Sequence, residues 1–369
     1  MATYQHLQIT PQPLIDPTIS NLEEFVTNHN PQHCVNPTFI NGSEEDIRET
    51  INGNETLARY FESHPMPPLL NGNNYTILSV VGAGTFGQVY LAQNNVTKQL
   101  VAMKASCLEH SRYLGALIKE YMFQKMANNA LNGFLCTTPE PKGFVCVHSN
   151  FSPSGYEYIL VSEFAAIFPD AKCTLTIDRA IKEHKNGKPL LNISDWQRVC
   201  LSLIIATDVL KANDLFHNDI KTDNVLISFD EYGMANPVII DFGNCCHKIN
   251  NITQPYYTAT PYVDIFKTHV APELYLQPQP HETSDLYSVA QLISEIGRVL
   301  EHKAVEQIAK KYKQNPTFRI LHKPFHDAIE KGFGCYGMDL STLEENHGPV
   351  YLADTFCYSI VHMPHPAGY

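Results

Sequence analysis

The stretch Leu215–Ile227 reads LFHNDIKTDNVLI, a polar cluster enclosed by two apolar runs. Its eight central residues, 217–224, include one histidine, two aspartates, two asparagines and one lysine. Surface loops are often polar, but they rarely lie between two segments that should be buried. The cluster therefore indicates a functional site, with which other residues of the chain could act.

Length and charge limit the function classes. The 369 residues suggest two to three domains or lobes, and a 44% hydrophobic content is enough for a sizeable core. The formal net charge of −12 argues against general binding to nucleic acid or an anionic membrane, which needs a basic surface. No apolar run approaches a membrane span, and the N-terminus lacks signal-peptide features. We expect an intracellular protein, cytoplasmic or nuclear, without nucleic-acid or membrane partners.

The ten cysteines form no Cys-x-x-Cys pair, which argues against a zinc site. Residues 1 to about 70 are rich in Asn, Pro and Thr. Within them, residues 43–63 predict one helix, with Ser43 as its N-cap, and residues 64–73 predict a linker.

Residues 75 to about 163 contain short β-branched and aromatic runs separated by turns, which predict a strand-rich lobe. Longer helical patterns follow, notably over residues 194–214 and 284–302. This order of elements predicts an α+β fold.

The first strand of this lobe opens a glycine pattern. Gly82, Gly84 and Gly87 form Gly-x-Gly-x-x-Gly, followed by Val89. Glycines let main-chain N–H groups approach phosphate closely. A dinucleotide fold would continue with a helix, whereas here a second strand follows, so the pattern favours a strand-turn-strand flap over phosphates. An ordinary hairpin turn remains the alternative.

Lys104 lies inside the apolar strand LVAMKAS. Burying an ammonium group without a partner is costly, so phosphate oxygens and a carboxylate are the expected partners. Glu120, in the predicted helix ALIKEYMFQKM, is the preferred carboxylate. Glu109 is the competitor, but it follows the strand too closely to reach back easily.

The opening stretch resembles the catalytic loop of eukaryotic-type protein kinases, H-R-D-x-K-x-x-N. His217, Asp219, Lys221 and Asn224 match this pattern, and Asn218 replaces the arginine. The resemblance implies that Asp219 accepts or orients the substrate hydroxyl proton and that Lys221 neutralises charge on the transferred group. It also implies that Asn224 binds Mg²⁺.

Further landmarks of that family follow in order. Asp241 begins Asp-Phe-Gly after an apolar strand, which implies a second Mg²⁺ ligand. Residues 271–273 read Ala-Pro-Glu, and Arg319 is the expected partner of that glutamate. Asp285 resembles the buried aspartate that anchors the catalytic-loop backbone.

The resemblance implies a two-lobed protein kinase-like fold. Residues 71–164 form a small β-rich N-lobe and residues 165–330 a larger helical C-lobe. Residues 1–70 are an N-terminal extension, and residues 331–369 are a C-terminal helix or tail.

It also implies an ATP pocket at the hinge, YILVSEF. The main chain of Glu163 and Ala165 contacts the adenine edge, while the side chains that enclose the ring are Val89, Ala102 and Leu226. Ser162 occupies the gatekeeper position, where a small side chain leaves room behind the adenine unless Met122 or Leu160 fills it.

The implied function is ATP- and Mg²⁺-dependent phosphorylation of protein substrates, with Lys221 favouring serine and threonine. A pseudokinase scaffold that binds nucleotide is the main alternative, and a small-molecule kinase is a weaker one. Three departures stand out. Asn218 cannot clamp a phosphate as arginine does, so loop phosphorylation is not the expected on-switch. Phe266 replaces a family threonine, and Arg319 follows Asp285 unusually closely.

Overall fold

The first half of the chain folds around one antiparallel sheet. The computed structural model describes residues 37–84, 87–106, 113–149, 154–164, 175–230, 232–247, 269 and 284–297. In this part of the chain the sheet has six strands in the order β1-β5-β6-β4-β3-β2. The strands are β1 (Phe39–Ile40), β2 (Tyr75–Gly84), β3 (Gly87–Asn94), β4 (Leu100–Ser106), β5 (Pro141–His148) and β6 (Tyr156–Glu163).

The glycine pattern lies where two consecutive paired strands, β2 and β3, meet. The element that follows β2 is a strand and not a helix, in agreement with the prediction of a second strand. Strands β2 and β3 pair from Tyr75 opposite Asn94 up to Gly84 opposite Gly87. The runs of β-branched and aromatic residues between positions 75 and 163 form strands β2 to β6. Such side chains pack well on a pleated, half-buried surface.

In the described part of the chain, helices follow the sheet. Helix α3 (Tyr113–Ala130) connects β4 to β5, and α4 (Ile177–Lys185), α5 (Ile193–Ala212) and α6 (Ser284–Gly297) follow β6. Together with the sheet they give the α+β, two-lobed kinase-like fold that the sequence predicts.

Two small two-stranded sheets hold the opening stretch. Strand β7 (Leu215–Phe216) pairs with β10 (Cys246–His247), and β8 (Val225–Phe229) pairs with β9 (Ala235–Ile239). The polar cluster occupies the loop between β7 and β8, so its ends are fixed by buried strands. This arrangement answers why polar residues stand between two apolar runs.

The N-terminal region differs from the prediction. Residues 43–63 form two helices, α1 (Glu44–Asn52) and α2 (Glu55–Phe61), where the sequence predicted one. Gly53 caps the end of α1, and the Asn54 side chain accepts a hydrogen bond from Leu57 N, which starts a new helix. Ser43 caps α1 as predicted.

The predicted linker is also bonded to the sheet. The amide of Leu70 donates to the Phe144 carbonyl (2.7 Å), and the Phe144 amide donates to the Pro68 carbonyl (2.9 Å). Apolar side chains alone did not reveal these main-chain contacts, which pin residues 68–70 to β5.

Several predicted residues lie outside the described part of the chain. They are Glu109, Ala165, Phe266, residues 271–273 and Arg319. Among the described residues, no helix is long and apolar enough to cross a membrane.

Candidate active site

Asp219 is the centre of the polar cluster. Its side chain is almost fully buried, and three side chains donate hydrogen bonds to it. Lys221 Nζ (2.8 Å) and Asn224 Nδ2 (3.0 Å) contact Oδ2, whereas His269 Nε2 contacts Oδ1 at 2.8 Å. Asn224 Nδ2 also reaches the Asp219 carbonyl. Both carboxylate oxygens are therefore held in fixed positions.

These donors keep Asp219 ionised. Burial by itself would raise the pKa of Asp219, but the His269 hydrogen bond and the Lys221 ammonium group lower it far below its usual range. Because an ionised carboxylate only accepts hydrogen bonds, the His269 ring must carry its proton on Nε2. The site thus presents a buried anion of low basicity.

Helix α6 anchors this arrangement from below the loop. Asp285 is buried, and its carboxylate accepts the amide N–H groups of His217 (2.7 Å) and Asn218 (2.6 Å). One turn later, Ser288 Oγ donates to the His269 carbonyl at 2.6 Å. Residues three apart share a helix face, so one face of α6 fixes both the loop and His269.

Asn218 faces inward at the position where the resembled family has arginine. Its side chain is fully buried, and Nδ2 donates to the Phe216 carbonyl and contacts Cys246 Sγ. Its backbone is left-handed (φ +61°), a conformation that asparagine tolerates better than most residues. Asn218 therefore supports the loop from within.

A second charged cluster forms around Lys104. Its ammonium lies 2.8 Å from Glu120 Oε1 and 2.6 Å from Asp241 Oδ1. Burial disfavours the ammonium, but these two carboxylates outweigh it and raise the pKa of Lys104. Strand β4, helix α3 and the segment after β9 thereby meet at one cation, and the expected pairing of Lys104 with Glu120 is present.

The backbone at Asp241 is strained. Its φ of +65° and ψ of 76° are left-handed, which is uncommon for a residue with a side chain. Gly243 lies over the cluster: a β-carbon there would come within 3.3 Å of Asp241 Oδ1 and 3.6 Å of Glu120 Oε2. The turn places the Asp241 carboxylate at the cluster. Because residue 243 is glycine, no side chain at that position covers the carboxylate.

Strand register places the predicted nucleotide residues on one sheet face. Val89 pairs with Lys104, and Ala102 pairs with Ser162. Directly paired residues share a face, as do residues two apart on one strand. Gly82, paired with Val89, lies at the same position across the sheet. Leu226 is buried in β8 with Val238.

Ser162 has a neighbour that the sequence did not indicate. Gln124 from α3 donates to Ser162 Oγ (3.2 Å) and to the Pro139 carbonyl (2.8 Å), and both side chains are buried. Gln124 thus contacts the side chain at the predicted gatekeeper position. A larger group at this place would have to displace the Gln124 amide.

The main chain at Glu163 is already partly engaged. Its N–H donates to the Glu140 carbonyl at 2.9 Å, so a main-chain contact with adenine would go through the Glu163 carbonyl. Its side chain lies 3.1 Å from Lys142 Nζ. At Glu163, the predicted hinge could therefore offer adenine a main-chain carbonyl as hydrogen-bond acceptor, but not an N–H donor.

His269 is the site residue that sequence reasoning missed. It lies 50 positions after Asp219 and two before Ala271. Its position beside the Ala-Pro-Glu motif was the available signal. No local pattern shows that a histidine so distant in sequence reaches the carboxylate.

A family model for the protein kinase domain matches residues 75–331, well over half of the chain. The chain belongs to the protein kinase family. The matched range includes the sheet from β2 onward, the Lys104 cluster and the loop that carries Asp219. It leaves residues 37–74 of this kinase, with β1, α1 and α2, outside the family domain.

The kinase is similar to several larger proteins. Homeodomain-interacting protein kinase 1 of Caenorhabditis elegans is 24% identical over 232 residues, which are 61% of this chain and 24% of that protein. Serine/threonine-protein kinase ppk15 of Schizosaccharomyces pombe is 26% identical over 228 residues (61% and 37%). Dual specificity protein kinase YAK1 of Saccharomyces cerevisiae is 27% identical over 225 residues (60% and 24%). The kinase matches only about a quarter to a third of the length of these relatives.

The donor set fits Mg²⁺. This ion binds oxygen ligands and commonly takes one or two protein side chains together with substrate phosphates. Asp241 supplies a carboxylate and Asn224 an amide oxygen, and their segments are joined by a hydrogen bond from Ile240 N to the Asn224 carbonyl (3.0 Å). The described residues hold no cluster of three or more His, Cys, Asp or Glu side chains suited to a metal.

Proposed function

We propose that this kinase transfers the γ-phosphoryl group of ATP to serine and threonine hydroxyls of protein substrates, with Mg²⁺ as cofactor. The observation that carries the proposal is the ionised, buried Asp219 carboxylate held by Lys221, Asn224 and His269. Lys221 supports serine and threonine specificity by resemblance. Of the relatives named above, ppk15 is called a serine/threonine-protein kinase and YAK1 a dual specificity protein kinase. The test therefore also includes tyrosine as an acceptor.

Asp219 orients the acceptor hydroxyl. Its low pKa makes it a weak base, so early removal of the hydroxyl proton contributes little. Phosphoryl transfer has a loose transition state in which the protein mainly positions and stabilises charge. The hydroxyl becomes acidic as its oxygen bonds to phosphorus, and Asp219 can take the proton at that late stage.

Cationic groups from both clusters bind the phosphates. Lys104, held by Glu120, would contact phosphate oxygens, and Lys221, 2.8 Å from Asp219, lies where it can neutralise charge on the transferred group. Asp241 and Asn224 would hold Mg²⁺, which when bound offsets the negative charge of the phosphates. Gly82, Gly84 and Gly87 of the flap would cover the phosphates from above.

The adenine end of ATP would lie against the sheet. Val89 and Ala102 would cover one ring face and Leu226 the other, with Ser162 behind the ring. The Glu163 carbonyl and the main chain of Ala165 would contact the ring edge.

The test measures ATP binding and phosphoryl transfer separately. Purified enzyme is incubated with labelled ATP, Mg²⁺ and peptide libraries presenting Ser, Thr or Tyr, and nucleotide affinity is measured by calorimetry. Asp219→Asn should reduce transfer by about 10²- to 10⁴-fold, the range for a lost acid–base group, with nucleotide affinity nearly unchanged. Lys104→Met should weaken both nucleotide binding and transfer.

Two exposed positions provide controls with matched residue types. Asp223→Asn changes an exposed aspartate in the same loop, and Lys188→Met changes an exposed lysine, so neither should alter the rate. Wild-type enzyme that binds ATP but transfers nothing would refute the proposal and favour the nucleotide-binding scaffold. Transfer to small hydroxyl compounds in place of peptides would favour the small-molecule kinase.

A further inference from the structure

The N-terminal layer, residues 37–61 with β1, α1 and α2, packs on the family domain although the family match begins at residue 75. It shares a buried core with α3, the helix that carries Glu120 of the Lys104 cluster. Neither the family match nor the relatives assign a role to this layer.

The layer begins as an added strand on the sheet. Strand β1 pairs antiparallel with β5, and the His148 amide donates to the Thr38 carbonyl at 2.8 Å. The contact is close: a β-carbon on Gly42 would lie 2.8 Å from Cys146 Cβ, and one on Gly72 would lie 2.6 Å from a ring atom of Phe39. Only glycine fits at both positions, so the segment has a defined seat on the domain.

A polar contact fixes helix α1. Asp46 Oδ2 accepts hydrogen bonds from Tyr158 (2.7 Å) and Tyr156 (2.9 Å), both on β6. Tyr158 in turn accepts the Ser43 amide at 3.0 Å. Burial, together with the Asp46 carboxylate, raises the pKa of Tyr158, so its hydroxyl stays a donor.

Apolar contacts join the layer to α3. Residues of α1 and α2 share one buried core with residues of α3. The buried members are Ile47, Ile51, Leu57 and Tyr60 from the layer and Leu117, Ile118, Tyr121 and Met122 from α3. The helices are in contact at one turn of α3, where a β-carbon on Gly115 would lie at a van der Waals distance of 3.6 Å from Thr50 Cγ2.

The ion pair needs this support. Removing Lys104 and Glu120 from water costs free energy that their attraction repays only with good geometry, so a buried pair does not by itself hold a helix in place. The position of α3 must therefore come from its packing and from other hydrogen bonds, such as those of Gln124 to the Pro139 carbonyl and of Asn128 to the Thr138 carbonyl. The N-terminal layer supplies part of the apolar packing.

We propose that the N-terminal layer positions α3 so that Glu120 contacts Lys104, with Asp46 as the positioning residue that fixes α1 to the sheet. The chain thereby provides within itself the contact that keeps its nucleotide-binding lysine aligned. The activity arm of the following test rests on the proposed function; the hydrogen-exchange arm does not.

The perturbation is Asp46→Ala in the 369-residue chain, with Glu49→Ala, an exposed position on the same helix, as the control. kcat/KM for ATP should fall by about 2- to 30-fold, the range for residues that act through another residue. Amides of residues 113–130 should exchange with deuterium faster, while those of α5 keep their rates. Tyr158→Phe, which removes the hydroxyl that contacts Asp46, should change activity and exchange in the same way. It replaces Asp46→Ala in the experiment if Asp46→Ala does not fold.

A double-mutant cycle separates positioning from general stability. In a Glu120→Gln background, Asp46→Ala should cause little further loss of activity, because the group it positions is already removed. Losses that multiply in the double variant would overturn the proposal, as would normal exchange of α3 in Asp46→Ala. If the wild type transfers no phosphate, the proposed function fails, and the exchange of α3 still decides whether the layer positions this helix.

Discussion

His269→Ala tests whether the histidine on Asp219 assists phosphoryl transfer. The change removes a hydrogen bond of 2.8 Å to a buried carboxylate. A hydrogen bond to a charged group contributes about 1.5–3 kcal/mol, which corresponds to roughly 10- to 150-fold if it is fully retained in the transition state. Lys221 and Asn224 still hold Oδ2, so we expect kcat to fall by about 10- to 100-fold, less than for Asp219→Asn.

The assay is steady-state transfer to the best peptide from the library, with kcat and KM determined for ATP and peptide. KM for ATP should stay nearly constant, because His269 contacts Asp219 and not the Lys104 cluster. His269→Gln, which can place an amide N–H near the same oxygen, should recover part of the loss. Ser288→Ala frees the His269 carbonyl and should give a smaller loss in the same direction.

His148→Ala, at an exposed histidine on β5, is the control and should leave the rate unchanged. An unchanged rate in His269→Ala would refute the reasoning. A faster rate would also refute it, because it would show that the histidine blocks Asp219 from the acceptor hydroxyl.

Three other predictions follow from the contacts around the site. Asp285→Asn should lower the free energy of unfolding by about 1–3 kcal/mol and reduce kcat, since one catalytic-loop amide loses its acceptor; thermal unfolding and turnover check both. Ser162→Met should displace Gln124 and weaken inhibition by a bulky pyrazolopyrimidine while KM for ATP holds; equal potency on both enzymes would show that Ser162 is not behind the adenine. The pKa of Asp219 is lowered, so its ionised form stabilises the fold above an unfolded pKa near 3.9, and this contribution is lost as pH falls below that value. The difference in unfolding free energy between wild type and Asp219→Asn should therefore be constant from about pH 8 to 5 and shrink below about pH 4. Denaturant titrations of both proteins at a series of pH values measure this difference.

Local sequence patterns were enough to predict much of the fold. Runs of β-branched residues marked β2 to β6, and the lone lysine in LVAMKAS indicated that a carboxylate partner was needed. Glu120 was preferred because the competing Glu109 follows the strand too closely to reach back easily. In each case, the deciding information lies within about twenty residues of sequence.

Long-range contacts were not accessible in this way. Asp46 and Tyr158 are 112 positions apart, and Gln124 and Ser162 are 38 apart. Each is an ordinary polar residue in its own segment, and only packing of the segments reveals the partner. The break at Gly53 was missed for a different reason, since a single glycine within a helical pattern costs only about 1 kcal/mol and does not always end a helix.

The position of β1 has a practical consequence for producing this kinase. A fragment cut at residue 75, where the family match begins, would lose the strand that covers β5 and leave that edge of the sheet unpaired. It would also expose the apolar surface of α3 that now contacts α1 and α2. Unpaired edges and large apolar patches promote association between chains, so such a fragment should aggregate where a chain starting at residue 37 or earlier stays monodisperse.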